Sequence, residues 1–299
     1  MFFKNCFTFR LPAGFTLPEG IEESLSEYIL RSPGPLELET RGFLSPFSRP
    51  DAALSHISSG STLFCLGQES RMLPASVLRD AVAELAASHE RMTGRKPGKR
   101  LRNDYREAAL TELLPRAFIK RTRTGAYFDA TNGLLVVDSA SDKHAESVTT
   151  AIREALGSFP ARPLATEASL NLLMSEWVRS GQLPDGFTIG DECEMKDPSD
   201  STSVARFRHH DLSADEVIEH VNCGKQVTQL GMIFDGRIGF VLDARMKLRK
   251  LSFFDVVADK LDPEGFEPEQ IVDAEFALMS LELRRLFARL DEILRFVEG

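Results

Sequence analysis

Lysine and arginine crowd one stretch of this chain. Between residues 91 and 123 stand Arg91, Arg95, Lys96, Lys99, Arg100, Arg102, Arg106, Arg116, Lys120, Arg121 and Arg123, against only Asp104, Glu107 and Glu112, a local charge of +8. The whole chain has 36 Lys+Arg and 45 Asp+Glu, so everything outside that stretch sums to −17. A concentrated cationic segment in an acidic protein is the electrostatic footprint of a polyanion site. The competing reading is a solvated helix and loop that binds nothing.

Alternating cations extend the pattern. Arg121 and Arg123, then Arg206, Arg208 and His210, then Arg245, Lys247 and Arg249 recur at every second position. Side chains two apart on a strand share a face, so each set predicts a short cationic ladder. Ladders that met in one groove would hold phosphates in a salt-sensitive way that does not read sequence. No recognition-helix pattern and no zinc-finger spacing supports base readout. Tyr105, Phe118, Tyr127 and Phe207 are too few for a stacking platform and are expected mostly in the core.

Other residues could do metal chemistry. Asp185, Glu194 and Lys196 have the order of the carboxylate–carboxylate–lysine set of Mg²⁺-dependent nucleases, at a slightly short spacing. His209, His210 and Asp211 are adjacent, but neighbouring strand residues point to opposite faces and cannot easily chelate one ion. The chain contains no G-x-S-x-G, H-E-x-x-H, Walker A or G-x-G-x-x-G motif. Cys6, Cys65, Cys193 and Cys223 form no C-x-x-C pair and are expected as small buried apolar residues. A binding protein with no catalysis, metal or cofactor is the reading preferred over these, and the Mg²⁺-nuclease alternative stays open.

The elements that must position these residues follow from periodicity. A chain of 299 residues with 42% hydrophobic and 27% charged content reads as soluble and able to bury a real core. No apolar run reaches membrane length, and the alternating N-terminus reads as a strand over 2–10 rather than a secretion signal, which implies a cytoplasmic protein. Helices are expected at 18–31, from Pro74 to Gly94, at 99–114, 142–156, 167–179, after a capping box at Ser213–Glu216, from Phe253, and at 268–297. Strands are expected near Phe43, at 61–66, 187–195, 202–210 and 247–251. Hairpins are expected around Asn132-Gly133 and Asp235-Gly236 as type I′ turns, and a linker at 160–163. The last helix carries Phe276, Met279, Leu283, Leu286, Leu290, Ile293 and Val297 at heptad spacing, which suits packing on the protein's own sheet twice as well as an intermolecular coil. The fold class is α+β: hairpins in mixed sheets with flanking helices. The division is a central α+β region over 1–73 and 115–163, a helical basic tip over 74–114, and a C-terminal α+β region over 164–299.

Leu113-Leu114-Pro115-Arg116-Ala117-Phe118 is a familiar string, as are Phe3-Lys4-Asn5, the run from Asn132 to Ser141, Glu176–Gly181 and Gly224–Thr228. In this order they resemble the recombination-associated RdgC family over nearly the whole chain. The resemblance implies a ring-shaped α+β homodimer that encircles DNA without marked sequence preference, with double-stranded DNA as the partner and single-stranded DNA as a further candidate. It implies antagonism of the recombinase RecA, a nucleoid location and no catalysis. It also implies that the helical tip forms one dimer contact, that Phe118 packs across the closure with Arg116 as its basic neighbour, and that the C-terminal region supplies the other contact. DNA-contacting candidates are Arg95, Lys96, Lys99, Arg100, Arg102, Arg106, Arg116, Lys120, Arg121, Arg123, Arg206, Arg208, Arg245, Lys247 and Arg249. This chain departs from the family pattern in having His209 and His210 where lysines are usual, which lowers the charge there at neutral pH. Two other readings stay open: a Mg²⁺-dependent nuclease using Asp185, Glu194 and Lys196, and a recombinase-binding protein acting through the C-terminal helix.

Overall fold

The computed structural model describes residues 2–47, 49, 52–200, 202–254 and 267–298. The first half runs β1 (Phe7–Arg10), α1 (Ile21–Ser26), β2 (Glu39–Leu44), β3 (Ser55–Ser58), β4 (Ser61–Met72), α2 (Ala75–Thr93), α3 (Lys99–Leu113), β5 (Phe118–Asp129), β6 (Leu134–Val137) and α4 (Asp142–Leu156). The second half runs β7 (Arg162–Pro163), α5 (Leu170–Ser180), β8 (Phe187–Lys196), β9 (Val204–Arg208), α6 (Asp215–Asn222), β10 (Gln226–Phe234), β11 (Ile238–Asp243), β12 (Leu248–Phe253) and α7 (Pro268–Leu294). The protein is α+β with two antiparallel sheets.

The first sheet has the order β2-β4-β5-β6-β1-β7, with β3 also pairing to β4. The second has the order β12-β11-β10-β8-β9. Alternation along β5 shows how the layers form. Ala126 and Phe128 face a core with Leu25 of α1 and Ala145, Val148, Ala151 and Ile152 of α4. Tyr127, on the opposite face, enters a larger core shared by α5, α6, α7 and the second sheet. The strand expected from residue 2 begins at Phe7 because the residues before it belong to the other sheet. Cys6 N donates to Leu248 O at 2.7 Å, Leu248 N donates back to Cys6 O at 3.0 Å, and Leu251 N donates to Lys4 O at 2.9 Å.

The heptad seam of the last helix is an internal one. Phe276, Met279, Leu283, Leu286 and Leu290 are fully buried in the larger core, joined by Leu294. Ile293 is only partly buried and Val297 lies beyond the helix at 44% exposure. Full burial of each such side chain is worth about 2 kcal/mol, so the seam cannot serve a second chain without opening this one.

Several local expectations change. The 18–31 helix shortens to α1, and Ile29 instead bridges Phe43 on the open edge of β2. At 130–133 only Gly133 has positive φ, so the turn is not type I′, whereas Asp235 and Gly236 both do, at 48° and 64°, as that turn requires. The capping box at 213–216 does not form: Ala214 is the N-cap, and Ser213 Oγ donates to Asp211 Oδ1 at 2.6 Å. The 160–163 linker is partly a strand, with Arg162 and Pro163 paired to Arg10 and Phe9. Phe253 ends a strand, and most of the helix expected after it falls outside the described residues. Cys6, Cys65 and Cys193 are buried but Cys223 is exposed.

Candidate nucleic-acid interface

β4 and β5 are twelve residues each and pair along their whole length, from Ser61↔Asp129 to Met72↔Phe118. Only one end of this ribbon lies in the core. Residues 126–129 of β5 are buried and residues 118–123 are exposed. The chain between Met72 and Phe118 forms a helical projection from the exposed end. Pro74 caps α2, Gly94 ends it with φ 68°, and α3 runs back to the ribbon through a 3₁₀ turn at Leu114–Arg116. The proline at 115 stops α3 because it lacks the N–H that another turn would need.

The two helices pack thinly. No α2 residue is buried, and in α3 only Ala109 is. Leu101, Tyr105 and Ala109 turn inward, and the Tyr105 and His89 rings sit 6.1 Å apart. An open groove of about 860 Å³ between the helices is lined by Ala81, Leu85, Ser88, Ala109 and Leu113.

The cations of the projection face solvent. Arg95, Lys96, Lys99, Arg100, Arg102, Arg106 and Arg116 are all exposed. Among the described residues none of them lies within ion-pair distance of a carboxylate. Lys99, Arg102 and Arg106 fall on one side of α3, as their 3-then-4 spacing requires.

On the ribbon, odd and even positions separate. Arg121 and Arg123 share a face: Arg121 Nε donates to Glu69 Oε1 at 2.8 Å, and Arg123 Nη2 donates to Ser45 O at 2.5 Å. Phe118 and Lys120 lie on the other face. Phe118 is 85% exposed, and its cross-strand neighbour Met72 is 55% exposed. Met72 is a residue that the sequence reading passed over. Its signal was there, in an apolar residue just ahead of the Pro74 helix start.

The second ladder forms only over Arg206 and Arg208, and Arg206 is neutralised. β8 and β9 pair Glu194↔Arg206 and Glu192↔Arg208, which places carboxylates directly beside arginines. Arg206 Nε donates to Glu194 Oε2 at 2.7 Å, and Lys196 Nζ lies 3.2 Å from Glu194 Oε1. Burial alone would raise the Glu194 carboxyl, but its bonds to Arg206 and Lys196 outweigh this and hold it below the ordinary carboxylate range. Arg208 remains exposed, with no carboxylate within ion-pair distance among the described residues. His210 is not on the ladder. β9 ends at Arg208, and His209 turns the chain with φ 51°. His209 Nδ1 lies 2.9 Å from Asp191 Oδ2, and His210 Nε2 lies 2.7 Å from Glu216 Oε1 without hydrogen-bond geometry.

The third ladder is not an exposed row. Arg245 and Lys247 precede β12 in a turn where Met246 has φ 59°, so the period of two fails. Lys247 is 6% exposed and its ammonium binds the Asp142 carboxylate and lies over the Phe7 ring. That bond holds the Asp142 carboxyl below its usual range. Arg249 Nη2 sits 3.3 Å from Asp243. Lys250, which the ladder reading left out, reaches Glu192.

The acid–acid–lysine set does not assemble. Asp185 precedes β8 and Glu194 lies near its far end, so at strand rise they are roughly 25–30 Å apart. Lys196 meets Glu194 only as an ion-pair partner. Among the described residues no group of three or more His, Cys, Asp or Glu could hold a metal ion, and no helix is long and apolar enough to cross a membrane.

The chain is similar over nearly its whole length to proteins of one family. A family model described as "RdgC: Putative exonuclease, RdgC" matches residues 1–296. A recombination-associated protein RdgC of Xanthomonas campestris pv. campestris is 40% identical over 297 residues, 99% of this chain and 98% of the relative. Its namesakes from Xanthomonas axonopodis pv. citri and Xylella fastidiosa are also 40% identical, the first over 299 residues (99% and 98% of the two chains) and the second over 295 (97% of each). The relatives' names state an association with recombination and no enzymatic activity, whereas the family-model description names an exonuclease.

Proposed function

Since the chain belongs to the RdgC family, we propose that it binds DNA without sequence preference as a closed homodimer, and so restrains RecA-dependent recombination. The observation that carries this reading is the projection, where cations stand exposed and unneutralised directly above an exposed aromatic at the ribbon's end. An array of like charges with no internal partner is suited to phosphates, which it would neutralise with release of counterions.

Closure would bring the Phe118 and Met72 patches of two copies together, helped by the open groove between α2 and α3. DNA would then be retained by topology as well as by charge. Of the expected contacts, Arg95, Lys96, Lys99, Arg100, Arg102, Arg106, Arg116, Lys120 and Arg208 remain available. Arg121, Arg123, Arg206, Arg245 and Arg249 would first have to leave protein partners, and Lys247 is withdrawn into the structure. Occupied duplex is a poor substrate for recombinase loading, which links binding to recombination and to the nucleoid. We assign no strand scission to Asp185, Glu194 and Lys196, because they do not converge.

Binding to linear and circular duplex across a salt series tests the reading. Affinity should fall steeply with salt on both, and circular DNA should resist competitor far longer once bound. Phe118→Ala should weaken the dimer by about 2 kcal/mol, seen by sedimentation, and abolish the advantage of circular DNA. A flat salt response would remove the electrostatic mechanism. Mg²⁺-dependent nicking of the plasmid, lost in Glu194→Ala, would replace it with a nuclease.

A further inference from the structure

Arg71 is absent from every basic cluster considered so far, yet it makes the most concentrated set of contacts at the root of the projection. It is the penultimate residue of β4, paired across the ribbon with Ile119. Its backbone N–H donates to Leu38 O at 2.8 Å. Its guanidinium donates to four carbonyls on two separate segments. Nη1 reaches Leu114 O at 3.0 Å and Pro115 O at 3.3 Å. Nη2 reaches Pro33 O and Gly34 O, each at 3.2 Å, and Nε reaches Gly34 O at 3.3 Å. One planar fork thus ties the last turn of the projection to a loop of the body.

Little else fixes the projection's angle. Across 74–117 only Pro97, Ala109 and Leu114 are buried among the described residues, so no apolar core locks the helices to the sheet. The body side of the knot is braced. Glu37 accepts from Gly34 N at 2.7 Å and from both Nη atoms of Arg31 at 2.6 and 2.7 Å, which holds the 33–37 turn in the shape that presents its carbonyls.

We propose that Arg71 is the positioning residue that sets the angle of the cationic projection, and through that angle the competence of the subunit to close. The second half of this statement rests on the closed-dimer reading above, and the first half does not. A lysine cannot replace it, because an ammonium is a single point of donation whereas the guanidinium spans carbonyls on both sides.

The test measures the angle and its consequence separately. In a Cys223→Ser background, spin labels at Met92→Cys on the projection and Lys143→Cys on α4 report the distance between tip and body within one subunit, with labelled protein diluted into unlabelled. The wild-type residue should give a narrow distribution, and Arg71→Lys and Arg71→Ala broad ones, with the thermal melting of the body unchanged. If the loosened projection of each subunit spends about a tenth of its time in the closing geometry, both must be competent at once and the dimer dissociation constant rises about a hundredfold. Equal widths in all three proteins, or broadening only alongside a collapsed melt, would overturn the positioning role. Broad distributions with unaltered dimer dissociation would uphold that role and overturn the closed-dimer reading instead.

Discussion

Arg102 on the projection and Arg206 on the second sheet are both exposed arginines at regular spacing, but only one has a neighbour of opposite charge. Arg206 has the Glu194 carboxylate 2.7 Å away, set there by strand register. Arg102 stands between Lys99 and Arg106 on the same side of α3, with no carboxylate in reach among the described residues. Like charges at helical i,i+4 spacing cost about 0.2–0.5 kcal/mol per pair, so the projection is folded at a small electrostatic loss. Arg206 carries no such loss because the cross-strand Glu194 cancels it. Charge that stabilises nothing internally is the charge most free to meet a ligand. The same formal count of cations therefore means different things in the two regions.

The largest expected effect comes from removing the free set. Lys99→Ala, Arg102→Ala and Arg106→Ala together should lower the slope of log K against log salt by about 3, read by fluorescence anisotropy on mixed-sequence duplex. A slope unchanged in that triple variant would break the comparison outright. Next is Lys247→Ala, which should act on the fold and not on DNA. Its Asp142 partner is 47% exposed, so the loss is discounted to about 1 kcal/mol of unfolding stability, measured by urea titration, with the salt slope intact. A DNA defect there would mean that the buried lysine is released on binding.

The smallest effect should be a gain. Glu194→Gln frees Arg206 and Lys196 and should steepen the slope by about 1. Acid should do the same to the native protein. The Glu194 carboxyl lies below its unfolded value, so its ion pairs contribute stability that is complete at neutral pH and is lost as pH falls through that depressed value. DNA binding at fixed salt should tighten over the same fall in the wild type and stay level in Glu194→Gln, apart from background shared by both.

Much of this was legible from the chain. The helices at 75–93 and 99–113 follow from Pro74, Gly94 and Pro115 and from apolar spacing, and their charge needed only counting. The ladders were less legible, because alternation shows which residues share a face but not what stands beside them. Nothing local to Arg206 announces that Glu194, twelve residues earlier, will be its register partner. Lys247 was misplaced for a related reason: Met246 takes positive φ, and one such residue breaks a period of two. Arg71 was invisible, since its acceptors are backbone carbonyls, which every residue has and no sequence pattern marks.

The opening strand has a consequence for how the molecule is made. Residues 4–6 bond to β12, residues 7–10 bond to β6 and β7, and Phe3 N donates to Met279 Sδ at 3.1 Å. Residues 4–6 therefore take partners more than 240 residues further along the chain. Contacts of such separation are slow to form, and segments left unpaired meanwhile are exposed to misassociation. The first sheet draws all its strands from residues 7–163, whereas the second needs β12 at 248–253, so a chain stopped between them would carry every strand of the first sheet but an unfinished second sheet and residues 4–6 without their partners.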